Sequence, residues 1–182
     1  MLQSNELRRA AAVTVILAGI AASASAQING NSKAPIDITA NEAEVLSAKC
    51  LTTWRGSAEA LQEKTRLRAD TITVHARQRG GGANGQPDCG PTERIEAVGH
   101  VFYVNPDQNA RADRAVYTAG SNQVVMTGNV IVVQGNDVAR GERLTLDTVT
   151  HEAKMEAGGG AGGRVRAVIY PDKSATAPAV TR

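Results

Sequence analysis

A regular internal repeat is the feature of this sequence that most restricts its fold. Three glycines are each followed by an acid at a constant interval, and the pairs are Gly56 with Asp70, Gly99 with Asp113, and Gly128 with Glu142. The sequence numbers of each pair differ by 14 (70−56, 113−99 and 142−128). The step from Asn41 to Gly56, like that from Asp113 to Gly128, is 15, so a full unit is 14 + 15 = 29. Self-similarity at a fixed period is typical of architectures in which equal units stack on their neighbours.

One spacing departs from the repeat, and the sequence shows why. The sequence numbers of Asp70 and Asp113 differ by 43, which is one unit of 29 plus 14. The surplus falls where the sequence reads RQRGGGANGQPDCGPTE, a stretch rich in glycine, proline and asparagine. Such a composition is typical of a surface loop. We therefore predict an insertion loop over residues 78–92.

Within each unit the residues alternate with a period of two. Apolar side chains stand two and four positions after each of these acids and after each glycine, and the positions between them are mostly polar. Ala43 and Val45 stand in the same way after Asn41, which takes the place of the acid in the first unit. This alternation predicts strands with one buried face. The residues predicted to face the interior are Ile38, Trp54, Ile72, Val74, Val101, Tyr103, Tyr117, Met126, Val130, Val132, Leu144 and Leu146.

The alternation changes parity at each corner acid, which predicts a bulge or bend there. A glycine and an acid at fixed spacing are then the places where a strand turns from one sheet into another. We interpret the acids as corner residues that cap free backbone N–H groups, not as catalysts. The predicted fold class is all-β: a β-sandwich or jelly-roll solenoid with two facing antiparallel sheets.

The two ends of such a stack are exposed. The candidate terminal strands are APIDITANEAEV at the start and GRVRAVIYP at the end, where Val165, Ala167 and Ile169 alternate with arginines. Exposed strand edges favour pairing with another chain.

The N-terminus has the three parts of a secretory signal peptide. A charged start is followed by the apolar run Ala10 to Ala22 and by Ala24-Ser25-Ala26, a small-residue cleavage site before Gln27. We predict a signal peptide over residues 1–26, a single domain over 27–170, and a disordered tail over 171–182. The net charge is only +2 and aromatic residues are 3% of the chain, so nucleic-acid binding is not expected.

Neither the cysteines nor the histidines form a catalytic motif. Cys50 and Cys89 map to the same end of adjacent units, and in an exported protein such a pair predicts a disulfide that tethers the insertion. A metal pair is the alternative, but other ligands are lacking nearby. His75, His100 and His151 are scattered over different units without ligand spacing. Because no nucleophilic triad, phosphate loop or zinc-enzyme motif is present, we expect no enzyme and no cofactor.

Six arginines lie beside the corners. They are candidates for contact with lipid phosphates at the rim of a groove, and an ordinary solvated face is the alternative: Arg66, Arg68, Arg111, Arg114, Arg140 and Arg143.

Three segments of the chain resemble the LptA/OstA family of lipopolysaccharide-transport bridge proteins. They are PIDITANEAE, AVGHVFYV and ARADRAVYTAGSNQVVMTGNVIVVQGNDVARGERLTLDTVTHEAKME. The resemblance covers about residues 35–156, apart from the insertion. Departures from the family pattern are the insertion itself, Asn41 in place of an acid, and the polar unit around RGSAEALQEKTRLRAD, with Glu59 where other units carry Phe102 and Ile131.

The resemblance implies a twisted β-jelly-roll with open ends in the periplasm. It implies that lipopolysaccharide acyl chains ride in an apolar groove between the sheets, so the twelve interior positions become groove-lining candidates. The implied partners are an LptC-like inner-membrane protein, an LptD-like outer-membrane protein and further copies of the chain, all paired through terminal strands. The alternatives are an LptC-like component of the same bridge, or a periplasmic carbohydrate-binding or structural β-solenoid.

Overall fold

The computed structural model describes residues 34–80, 87–159 and 163–171, and within them the chain is almost entirely β-strand. The predicted signal peptide and residues 172–182 of the predicted tail lie outside this range. The one helical element in the described ranges is the 3₁₀ turn Ser47–Lys49. The strands are β1 (Asp37–Thr39), β2 (Glu42–Leu46), β3 (Leu51–Gln62), β4 (Thr65–Arg79), β5 (Asp88–Val104), β6 (Asn109–Thr118), β7 (Gln123–Gln134), β8 (Asp137–Asp147), β9 (Ala153–Glu156) and β10 (Arg166–Val168).

All strand pairs are antiparallel, and successive long strands are neighbours in the order β3-β4-β5-β6-β7-β8. At one edge the short strands β1 and β2 pair with the two ends of β3. At the other edge β10 and β9 pair with the two ends of β8. The predicted all-β, repetitive antiparallel architecture is confirmed. No helix among the described residues has the length and apolar character needed to cross a membrane.

Every odd-numbered long strand bends at a predicted corner glycine. Gly56, Gly99 and Gly128 have φ of 80°, 79° and 79°, and the residue after each glycine also has a positive φ. Two successive left-handed residues break the pairing, and the register shifts at the same places, for example between Arg55 and Ala58. This is the bulge that the change in parity predicted.

The corners divide the sheet into two halves, which share one hydrophobic core. Half A comprises the segments 37–39, 57–62, 65–69, 101–104, 109–112, 130–134, 137–141 and 166–168. Half B comprises the segments 42–46, 51–55, 71–79, 88–98, 114–118, 123–127, 143–147 and 153–156. Ala58 and Val130 of half A and Ile72 of half B are at most 1% exposed and belong to the same cluster. Such burial requires a second layer, so the two halves face each other across the core.

The insertion is a strand ribbon for part of its length. Gln78 pairs with Cys89 and Arg79 pairs with Asp88, so strand pairing extends into the insertion from both sides. The loop is therefore shorter than the range 78–92 that was predicted for it. Cys50 and Cys89 are joined by a disulfide, as predicted. The Ala76 N–H donates to the Cys50 carbonyl at 2.9 Å. The ribbon is therefore fixed to the chain that precedes β3.

Candidate functional site

The interior between the two halves is the candidate functional site, and the structure places all twelve predicted residues on the inner faces. Cross-strand partners share a face of a sheet, so the register sorts them into rows. Half A carries Ile38, Val101, Tyr103, Val130 and Val132. Half B carries Trp54, Ile72, Val74, Tyr117, Met126, Leu144 and Leu146. Eleven of the twelve belong to the core cluster or pack against it, and the half-buried Leu146 is the cross-strand neighbour of Val124, which packs there too.

The two inner faces differ in side-chain size. On half A the buried residues are largely alanines, at positions 58, 60, 69, 110 and 112. Half B instead buries Ile72, Val74, Ile95, Met126 and Leu144. Half A also buries Leu67, Val101 and Val130, and half B also buries Ala97 and Ala115. Small and large side chains from both halves therefore form the shared core, with a larger share of alanine on half A.

Burial decreases toward one side of the interior, which we call the mouth and define by Tyr103, Tyr117, Val124, Val132 and Leu146. All five are only half-buried, whereas their neighbours nearer the corners, such as Val101, Val130 and Met126, are at most 4% exposed. Apolar side chains that remain partly in water have free energy to gain from an apolar ligand. The mouth is thus the candidate part of the interior for contact with an apolar ligand.

Both ends of the stack are open, as predicted. β1 and β2 pair only with β3, and β9 and β10 pair only with β8, among the described strands. The alternation in the first unit predicted that Ala43 and Val45 would face a covered interior, and this prediction is wrong for them. Both are exposed, Val45 by 58%, because β2 lies at the edge of the sheet with no further described strand beyond it. An exposed valine on an open edge marks an incomplete end.

Sequence reasoning missed several interior residues, among them Ile95, Val124 and Met155. Ile95 is 6% exposed, and Val124 and Met155 pack against the core. The period-two pattern contained the signal for Ile95 and Val124. Ile95 lies two positions before Ala97 and Val124 two positions before Met126, and both Ala97 and Met126 lie two positions before a corner glycine. Met155 lies beyond the repeat and pairs with Leu144, a partner that only the register shows.

Two of the corner acids, Asp70 and Asp113, bond to side chains and, within the described residues, not to the backbone N–H groups that they were predicted to cap. Asp70 Oδ2 lies 2.8 Å from His100 Nδ1, and the Asn129 amide donates to Asp113 Oδ2 at 2.9 Å. His100 and Asn129 are the residues that follow two of the corner glycines. Each of these two acids therefore holds the bent backbone of the neighbouring strand in place. A shallow cavity of about 600 Å³ follows this row of corners on the outer side.

The Asp70 carboxylate raises the pKa of His100 above its ordinary value of 6.5, first through the hydrogen bond and then through its charge. The stabilisation that the His100–Asp70 pair gives to the folded protein is full at pH values below the pKa of His100 in the unfolded chain. It is lost as the pH rises through the higher pKa of His100 in the folded protein. An NMR titration should show His100 titrating at lower pH in Asp70→Asn than in the unsubstituted protein. Asp113→Asn, which acts only through distant charge, should have a smaller effect. Identical curves for the Asp70→Asn variant and the unsubstituted protein would contradict the assigned pair.

The described part of the chain offers no ready metal centre, since no three His, Cys, Asp or Glu side chains lie together there. The six corner arginines, which look equivalent in the sequence, fall on different faces. Arg114 and Arg143 lie on the outer face of half B, where each pairs with a glutamate, Glu96 and Glu156 respectively. The others lie on half A.

Comparisons with known proteins agree with this geometry. Residues 37–152, more than half of the 182-residue chain, match the family described as LptA/(LptD N-terminal domain) LPS transport protein. The chain is 26% identical over 164 residues to an uncharacterized protein of Rhizobium meliloti (strain 1021), and the match covers 87% of this chain and 85% of that protein. It is 26% identical over 152 residues to the lipopolysaccharide export system protein LptA of Escherichia coli (strain K12), covering 80% and 76%.

A solved structure shows the same fold. It is that of LptH from Pseudomonas aeruginosa, described as the LptA homologous periplasmic component of the conserved lipopolysaccharide transport device. The superposition has a TM-score of 0.61 and 23% identity, and it covers 76% of this chain and 96% of that one. At this identity the likeness concerns the fold alone.

Proposed function

Because the chain belongs to the LptA/(LptD N-terminal domain) family of LPS transport proteins, we propose that it bridges the inner and outer membranes in the periplasm. In this proposal it carries lipopolysaccharide with the acyl chains between half A and half B. The observation that carries the proposal is the mouth, where five apolar side chains of both halves are only half-buried.

The physical argument rests on transfer of apolar surface. Each methylene removed from water contributes about 0.8 kcal/mol. An acyl chain that enters between Val132 of half A and Leu146 of half B would bury its own methylenes and the side chains of the mouth together. The sugars and phosphates would remain outside in water. This arrangement requires binding and release but no covalent chemistry, so the proposed role is that of a non-enzymatic carrier.

The open ends support the second part of the proposal, which is assembly into a bridge. β1 and β2 at one end, and β9 and β10 at the other, present backbone N–H and C=O groups that no described strand pairs. Strand pairing across such edges would join the interior of one domain to that of the next. We propose an LptC-like inner-membrane protein, an LptD-like outer-membrane protein and further copies of the chain as partners. A continuous apolar path would then extend through the assembly.

Site-specific photo-crosslinking in cells tests the lipid path. A photoreactive residue placed at Val132 or Leu146 should label lipopolysaccharide, because both side chains face the interior at the mouth. The matched control is Thr145, which precedes Leu146 and points to the outer face, where it pairs with Val125 and Lys154. Thr145 should label at least about tenfold less. Equal labelling from Leu146 and Thr145, or none from the interior positions, would reject the proposal.

A further inference from the structure

The outer face of half A differs from that of half B in a way the transport role does not require. Two rows of cross-strand neighbours form this face. The row next to the corners is Thr39, Glu59, Arg68, Phe102, Arg111, Ile131, Arg140 and Arg166. The second row is Asp37, Leu61, Arg66, Val104, Asn109, Val133, Val138 and Val168. We call these two rows the basic face.

The cations of the basic face exceed its carboxylates. Arg66 and Arg68 share Glu59, at 3.3 and 3.1 Å. Arg111, Arg140 and Arg166 are exposed, and none of them has a carboxylate within ion-pair distance in the described part of the chain. Five arginines against the carboxylates of Asp37 and Glu59 leave a net charge of +3 on the two rows.

The corresponding rows of half B carry no such excess. Their cations are Arg55, Arg114, Arg143 and Lys154, and their carboxylates are Glu42, Glu44, Glu96 and Glu156. All four cations take part in ion pairs with these glutamates. The charge of those rows is therefore zero and locally satisfied. The excess on half A is a property of one face and not of the whole chain, whose net charge is only +2.

Apolar side chains lie between the arginines of the basic face. Phe102 and Ile131 stand on either side of Arg111 in the first row, and the Arg111 guanidinium lies 5.2 Å from the centre of the Phe102 ring. In the second row Val133, Val138 and Val168 are consecutive neighbours on three strands. Val168 is 41% exposed. Phe102, Ile131, Val133 and Val138 are half-buried. Guanidinium groups next to such partly exposed aromatic and branched side chains match the boundary between lipid headgroups and acyl chains.

We propose that the basic face docks on the surface of a phospholipid bilayer that carries anionic headgroups. The unpaired arginines bind lipid phosphates, for which a planar guanidinium has the matching geometry. Phe102, Ile131 and the three valines of the second row lie against the headgroup–acyl boundary. The interior opens on the opposite side of the half A sheet, so this contact leaves the mouth free. The docking is independent of the lipopolysaccharide path and would hold the domain beside a membrane.

Vesicle co-flotation of the purified chain, without lipopolysaccharide, tests the proposal. Vesicles of phosphatidylcholine with about a third phosphatidylglycerol should bind the protein, and pure phosphatidylcholine vesicles should bind it far less. The triple substitution Arg111→Gln, Arg140→Gln and Arg166→Gln should weaken binding by about fivefold per arginine, or about a hundredfold in all. Replacing Phe102 with Ser should weaken the binding that remains at high salt, where screening reduces the contribution of charge.

The matched control carries the same three changes on the other half, at Arg55, Arg114 and Arg143. It removes the same net charge and should bind anionic vesicles as the unsubstituted protein does. Equal weakening by the two triple variants would show a general charge effect and overturn the proposal. Absence of binding to anionic vesicles would also overturn it and leave the face for a protein partner. Circular dichroism of each variant separates lost binding from lost folding.

Discussion

Loss of the Cys50–Cys89 bond should lower the free energy of unfolding by about 3–4 kcal/mol. The bond closes a loop with a sequence separation of 39, which contains β3 and β4. Closing a loop of that length restricts the unfolded chain, and most of the stabilisation arises there. In the folded protein the bond also fixes the insertion ribbon, together with the Ala76 N–H that donates to Cys50. Urea denaturation with and without reductant measures the loss.

The variant Cys50→Ala/Cys89→Ala provides the control. Alanine is preferable to serine at position 50 because Cys50 is 5% exposed and a hydroxyl there would be buried. The variant should unfold at the midpoint of the reduced protein and should not respond to reductant. An unchanged midpoint on reduction would contradict the prediction and would mean that the ribbon detaches without affecting the rest of the sheet.

Replacing the corner glycine Gly99 with alanine should cost about 2–5 kcal/mol in the free energy of unfolding. Gly99 has a φ of 79°, and for a residue with a side chain this left-handed conformation costs about 1–2 kcal/mol. A Cβ there would also lie only 2.8 Å from Cγ of Asp70. The carboxylate would have to move and release His100, and such overpacking costs about 1–3 kcal/mol more. Thermal or urea denaturation measures the effect.

Two other glycines separate the two causes. Gly135 has a φ of 57° but nothing within 4 Å of an added Cβ, so Gly135→Ala should cost only the backbone share, about 1–2 kcal/mol. Gly120 has neither a positive φ nor a close neighbour, and Gly120→Ala should change stability by less than about 1 kcal/mol. The corner account would be untenable if Gly99→Ala were no more harmful than Gly135→Ala.

The repeat predicted the corners because steric demands at a corner are local and recur in each unit. Gly56 and Gly128 share the conformation of Gly99, and their added Cβ atoms would lie 2.8 Å from the Cβ atoms of Asn41 and Asp113. A short side chain facing a glycine across the pair is therefore needed at each corner. That need appears in the sequence as a fixed spacing. The period-two alternation then fixed which residues share the interior.

Other features of the fold depend on which strands pair, and the regular spacing of glycines and acids does not reveal that pairing. Alternation gave Val45 the same pattern as Val74, but only the position of β2 at an edge makes Val45 exposed. The glycine that faces Glu142 was missed as well, and it does not share the positive φ of the three corner glycines. A Cβ added to Gly158 would lie 3.6 Å from the Glu142 side chain. The sequence numbers of Glu142 and Gly158 differ by 16, whereas the regular step from the acid or its amide to the glycine is 15. A single additional position within a glycine-rich stretch was enough to hide it.

The arginines beside the corners show most clearly what could not be predicted from the sequence pattern. Arg111 and Arg114, or Arg140 and Arg143, are three positions apart and stand on either side of a corner acid. A change of parity at the acid sends the two members of each pair to different halves of the sheet. Their carboxylate partners come from other strands, as Glu96 does for Arg114. Charge that looks uniform along the chain is therefore satisfied on one face and unsatisfied on the other.

The corners also determine how this sheet can move. They lie side by side on neighbouring strands, and ladder pairing is interrupted at each of them, between Arg55 and Ala58 and again between Thr127 and Val130. The interruptions thus form one continuous line across the sheet, with strand pairing on either side. Because ladder hydrogen bonding is interrupted along this line, bending between half A and half B would be concentrated there and would involve every unit together.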